Sequence, residues 1–433
     1  MRFLLTLIGV TLMLLAYPRE LDLYKMGDAK GHTLMVFGGI HGNEPGGFFA
    51  PAMLASHYQI TKGSLWVIPN INHKSITKFH RGIDGDMNRK FSTVDPKDRD
   101  YATVQVLKSL IDNPNVDLIL NLHDGHGFYR DTYLDTSFNP GAWGQSCVID
   151  QMTMEDTNST FGSLSDIAQQ VSTILNNGLL KEHHYFHVKN TKTRYKNEAM
   201  QQSLTYYAVR KNKPAFAIET SKNITVLADK VLYQLRAIEA FMQIMGIEFT
   251  RDFEMDITSI ERILSEYGTV RINENITLDL RDISPILRYV PMKESENLFK
   301  FTHPLADYVN QGSHYEIYIG HIRVTSLFAQ RFEMDDSLQA IDVTVDGTKS
   351  QAPLPVTLTI AREVAINAPQ GYRVNIIGYT SKEHVDENNL NVKLDEMDKR
   401  YAIDKSRTQY RAEIYNGEKF CGMMVLDFSP SSR

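Results

Sequence analysis

Cysteine is nearly absent from this chain. Cys147 and Cys421 are the only two in 433 residues, and they lie far apart. Two thiols so placed give no disulfide framework and no cysteine-based zinc site. An excess of positive charge is missing as well. The net charge is -6 and no basic block stands out, which argues against nucleic acid or an anionic membrane surface as the main partner. There is no internal repeat and no low-complexity segment. The longest apolar run, Phe3 to Ala16, is too short to span a bilayer well. With Arg2 before it and polar sequence from Pro18, it reads as a signal peptide over residues 1–17. An uncleaved anchor is the alternative; either way the body is expected to be exported. Few cysteines in an exported chain of this size suit a bacterial periplasm.

What is present is ordinary globular material, 42% hydrophobic and 23% charged. The length suggests two or three domains. From Thr33 to about Gly246, short apolar runs alternate with longer amphipathic stretches, the pattern of an α/β domain with helices covering a sheet. Strands are expected at Thr33–Phe37, Ser64–Pro69, Asp117–Leu122 and Ala215–Glu219. Helices are expected at Pro45–Tyr58, Tyr101–Leu110, Leu164–Asn176, Glu198–Arg210 and Ile224–Met245. We place this α/β domain at 18–246, a small β-rich domain at 247–337 and an immunoglobulin-like β-sandwich at 338–433. The sandwich is read from alternation in Ile341–Val345, Tyr372–Ile377 and Tyr410–Tyr415, with Asn416-Gly417 as a hairpin turn.

The stretch Met35–Gly47 reads MVFGGIHGNEPGG. An apolar run stops at glycines and delivers His41 and Glu44, a compact start to a zinc site, because zinc takes nitrogen and oxygen ligands and a catalytic site uses three. The third belongs at another strand end. His123, after Leu118–Leu120 and before Asp124-Gly125, is the choice; His126 competes, and Asp124 is a candidate supporting partner. Arg81, Asn88 and Arg89 cluster in a polar loop. The planar guanidinium fork matches a carboxylate, so this loop looks built for a substrate's terminal carboxylate. Glu219 ends the apolar run Ala215–Ile218. A carboxylate raised by partial burial suits a general base acting on water at a zinc ion.

His-x-x-Glu, then an Asn-Arg pair, then a strand-end His and a late strand-end Glu: in that order the pieces resemble the zinc carboxypeptidases of the carboxypeptidase A type, over about Thr33 to Gly246. The resemblance implies a mixed sheet of about eight strands with helices on both faces. It implies zinc held by His41, Glu44 and His123, a C-terminal carboxylate gripped by Asn88 and Arg89, and Glu219 as general base. Arg81 would polarise the scissile carbonyl. A mobile Tyr closes over the substrate in many members, and Tyr195, Tyr206 and Tyr207 are all candidates. With two β-rich modules behind it, the chain is similar to the cell-shape-determining peptidoglycan carboxypeptidases of curved and helical bacteria. That implies a D,L-carboxypeptidase trimming muropeptide tripeptides to dipeptides with release of meso-diaminopimelate. Wall or shape-protein contacts would fall to the β modules. Two other readings stay open: a zinc amidoacylase of the succinylglutamate desuccinylase or aspartoacylase kind, and a non-catalytic wall-binding protein.

Overall fold

The computed structural model describes residues 21–429, apart from 29, 157–158, 197 and 382–383. The expected signal peptide, residues 1–17, lies outside the described residues. Among those described, no helix is long and apolar enough to cross a membrane.

Strands buried on both faces read as continuous apolar runs, and four such runs form the middle of the main sheet. Its strands are β1 (Tyr24–Gly27), β2 (Thr33–Phe37), β3 (Ser64–Ile68), β4 (Leu118–Gly125), β5 (Ser146–Ile149), β6 (His187–Asn190) and β7 (Ala215–Ser221). The spatial order is β1-β3-β2-β4-β7-β5-β6. The inner pairs β3–β2, β2–β4 and β4–β7 are parallel, whereas β1 and β5 join antiparallel. The mixed α/β sheet is as expected, with seven strands among the described residues rather than about eight. Helix Gly46–His57 packs against Leu227–Met245, which in turn packs against Leu164–Asn176.

The single helix expected over 198–210 is instead a short turn, Met200–Gln202, followed by a helix at Leu204–Arg210. Ser203 breaks it: its backbone is extended, and its hydroxyl accepts the Tyr206 N–H at 3.2 Å as a helix cap.

Past the main sheet, Glu248–Arg251 pairs antiparallel with Tyr58–Lys62 and ties this stretch back to the α/β domain. A three-stranded and a four-stranded sheet then occupy Thr269–Arg331. One hydrophobic core runs from Leu34 through the middle module and takes in Tyr415, Phe420, Met423 and Val425. Two further four-stranded sheets close a second core around Ile341, Val364, Ile376, Tyr410 and Leu426, which is the β-sandwich. Both cysteines are free and buried.

Candidate active site

The C-terminal ends of β2, β4 and β7 lie side by side, so the sheet itself gathers the residues that follow. In the β4–β7 register Glu219 stands opposite His123 and Thr220 opposite Asp124. After β2 the chain turns and brings back His41 and Glu44. Gly42 allows this turn because a Cβ there would overlap the Ser75 backbone. Ligand atoms of His41, Glu44 and His123 all lie within 4.8 Å of one another, and all three residues are buried.

The donor set fits a divalent metal ion. His41 Nε2 lies 2.8 Å from Asp86 Oδ1. Asp86 is held well below the usual carboxylate range: burial opposes ionisation, but the His41 hydrogen bond and the charges of His41 and Arg81 outweigh it. An ionised Asp86 accepts, so Nε2 carries the proton it receives. His41 Nδ1 then has no hydrogen-bond partner among the described residues although it is buried, and it lies 3.1 Å from Glu44 Oε1. Glu44 Oε2 is 2.8 Å from His123 Nδ1. Burial pushes Glu44 up, yet the two histidines bring it well below its ordinary value. Burial lowers His41, but Glu44 and Asp86 raise it overall. Two carboxylates drawing a proton onto this ring mark a place that favours positive charge, and metal binding displaces such protons.

Glu219 is the opposite case. Burial, then the charges of Glu44 and Asp124, raise its carboxyl well above the ordinary value. Its Oε2 lies where a side chain on Gly125 would meet it at 2.8 Å. A poised, protonatable carboxylate therefore stands beside a metal-competent trio.

His41, Glu44, His123, Asp124 and Glu219 line one cleft of about 220 Å³. Asn88 and Arg89 line it too. The Asn88 carbonyl oxygen accepts the Leu204 N–H at 2.9 Å, which fixes the side chain with its Nδ2 at 3.4 Å from His123 Nε2. Arg89 is held by its Nη1 donating to the Asn88 backbone carbonyl at 2.9 Å. Arg81 lines the cleft and donates to Glu44 Oε1 and to Asp86, both at 3.1 Å. Asp124 supports from behind: it accepts the Gly46 N–H at 3.0 Å and the Thr220 hydroxyl, and pairs with Lys230 at 3.4 Å. His126 is exposed and lines the cleft without joining the trio. None of the three tyrosines lines the cleft among the described residues. Tyr195 is 81% exposed, Tyr206 is buried, and the Tyr207 hydroxyl donates to Asp112 at 2.9 Å.

Sequence reasoning missed Asp86, Lys222, Trp143 and Asn121. Lys222 Nζ donates to Glu44 Oε1 at 3.3 Å, and Trp143 forms a cleft wall. Asn121 is fully buried in the cleft lining with both ends of its amide unpartnered among the described residues. One amide inside an apolar strand, Leu118-Ile-Leu-Asn-Leu, was the signal that could have found it.

Against this geometry the comparisons are direct. The profile of the catalytic domain of carboxypeptidases controlling helical cell shape matches residues 13–265. The chain belongs to this family. A second profile, the C-terminal domain of metallo-carboxypeptidases, matches residues 334–429 of the carboxypeptidase. A search of the curated proteins gives no match. Among solved structures, the tripeptide-bound cell shape determinant Csd4 of Helicobacter pylori superposes with a TM-score of 0.89 at 31% identity, covering 94% of this chain and 100% of that one. The mDAP-bound form of Csd4, described as a D,L-carboxypeptidase, superposes with a TM-score of 0.88 at 31% identity, covering 92% of this chain and 96% of that one. The carboxypeptidase is thus a peptidase with a metal-competent centre.

Proposed function

We propose that this chain is a zinc-dependent D,L-carboxypeptidase that removes the third residue, meso-diaminopimelate, from peptidoglycan tripeptides and leaves dipeptides. The observation that carries this reading is the cleft itself: a His-Glu-His trio, a raised carboxylate and an Asn-Arg pair converge within it. The tripeptide and mDAP seen in the Csd4 structures support the substrate class. Export to a periplasm by residues 1–17 belongs to the same proposal, since such a substrate lies outside the cytoplasm. Contact with the wall or with shape proteins is the role we give the β-rich domains.

His41, Glu44 and His123 would hold the zinc ion, with Asp86 fixing the His41 tautomer. A zinc ion held there would lower the pKa of a water and polarise a carbonyl. Asn88 and Arg89 bind the terminal carboxylate, which sets the scissile bond in front of Glu219. Glu219 takes the proton of the attacking water on its carboxylate and returns it to the leaving amine. Arg81 places positive charge where the carbonyl oxygen becomes negative.

The test is digestion of purified tripeptide with product masses read. Release of meso-diaminopimelate with a dipeptide remainder is the expected result. A folded, zinc-loaded protein that leaves the tripeptide intact would overturn the reading. Hydrolysis of small N-acyl amino acids by such a protein would favour the amidoacylase instead.

A further inference from the structure

The sheet register carries the cleft sideways. Glu219 stands opposite Ser146, and Ser146 opposite His187; one step in, Ala217, Val148 and Lys189 form the parallel row. Partners in register point to the same face, and neighbouring strands lie about 4.8 Å apart. His187 is therefore about 10 Å from Glu219 along the sheet.

A row of rings begins at the cleft wall and follows this edge. Lys189 Nζ sits 4.8 Å from the Trp143 ring and 4.1 Å from the Tyr129 ring, and donates to the Pro140 carbonyl at 2.7 Å. Tyr129 meets His187 at 6.2 Å, and His187 meets Tyr185 at 5.0 Å. Tyr185 is 45% exposed. Arg130 ties the row together by donating to the backbone carbonyls of Tyr129, Tyr185 and His183. Asp131 borders it, accepting the Tyr129 hydroxyl at 2.9 Å with its own side chain 71% exposed.

We infer that this row is a saccharide subsite, which docks the sugar carrying the stem peptide while the cleft holds the peptide. This rests on the tripeptide reading given above. Loss of the third residue leaves two residues between the scissile carbonyl and the sugar. Two extended residues and the linking group span about 7–10 Å, which is the distance from Glu219 to His187. Trp143 lines the cleft and meets Lys189 at 4.8 Å, so a peptide with its terminal carboxylate at Arg89 would reach the row past Trp143. A pyranose presents one face of C–H groups and a rim of hydroxyls. Tyr185, 45% exposed and braced edge-to-face by His187, offers its ring to the first, and Asp131 offers an exposed acceptor to the second.

The test measures kcat/KM for free tripeptide and for the same tripeptide attached to its disaccharide, using the full chain loaded with zinc. Their ratio is the readout, so a general loss of activity cancels. Wild type is expected to favour the sugar-bearing substrate about tenfold. Tyr185→Ala should bring the ratio towards one, and Tyr185→Phe, which keeps the ring, should restore it. Tyr308, stacked on Phe299 at 4.3 Å in the middle module, is an exposed aromatic away from this row; Tyr308→Ala should leave the ratio alone. A ratio near one in wild type, with both substrates cut, overturns the subsite and leaves the functional reading standing. A ratio that falls in Tyr308→Ala and not in Tyr185→Ala also overturns it. Cleavage of neither substrate overturns the functional reading, and the subsite with it.

Discussion

At the C-terminal ends of β4 and β7 the buried positions hold His123, Asp124 and Glu219; in the sandwich the corresponding interior is filled by Ile341, Val364, Ile376 and Leu426. Both regions are sheets with closed cores. They differ in what happens to buried charge. In the sandwich wall Arg411 Nε lies 3.1 Å from Glu413 Oε1 as an ion pair without hydrogen-bond geometry, while the other Glu413 oxygen accepts the Tyr415 hydroxyl at 2.7 Å and burial raises Glu413. In the cleft the charges are left mutually opposed. Glu44 is held ionised while Glu219 is pushed towards its neutral form. Titratable groups whose surroundings drive them apart are what acid–base chemistry requires. The comparison teaches that chemistry sits where buried ionisable groups with opposed shifts converge on a cleft, and not merely where charge is buried.

Substitutions can break this division. Glu219→Gln removes the proton acceptor but no metal ligand; kcat should fall about 10²- to 10⁴-fold, with metal content and melting temperature unchanged. Near-wild-type turnover in that variant would remove Glu219 from the mechanism. Phe420→Ala, at the joint between the sandwich and the main core, should instead lower unfolding stability by about 3 kcal/mol, read by denaturant titration, with turnover of the folded fraction retained. Phe420 is fully buried and packs near Tyr415 and Phe332. Arg89→Lys keeps the charge but loses the planar fork, so kcat/KM on tripeptide should fall about ten- to a hundredfold. The smallest effect is a displacement. Glu219 acts as a base only when ionised, so activity is present above its pKa and lost as pH falls through it. Because burial and the charges of Glu44 and Asp124 raise that pKa, the acid limb of kcat/KM should lie above the ordinary value of 4.5.

The strands of the main sheet were legible because doubly covered parallel strands are apolar runs, as in Leu118–Leu120 and Ala215–Ile218. His41 and Glu44 were legible because they sit three residues apart after such a run. Asp86 was not, because it reaches His41 across 45 residues with no local pattern to mark it. Lys222 reaches Glu44 across 178. The break at Ser203 was hidden because Glu198–Arg210 keeps helical spacing while the turn is decided by a tertiary bond, the Phe91 N–H donating to the Gln202 carbonyl at 2.9 Å. The middle module gave only a general β signal, since its strands are short and one pair, Ile286–Met292 with Ile322–Arg331, is parallel across a long connection.

The most direct measurement is a zinc titration of the metal-stripped chain with tripeptide turnover followed at each step. The account predicts no turnover without metal and a linear rise that stops at one zinc per chain, with His41→Ala failing to reach it. Full turnover in the stripped protein, or a rise that His41→Ala leaves intact, would contradict it.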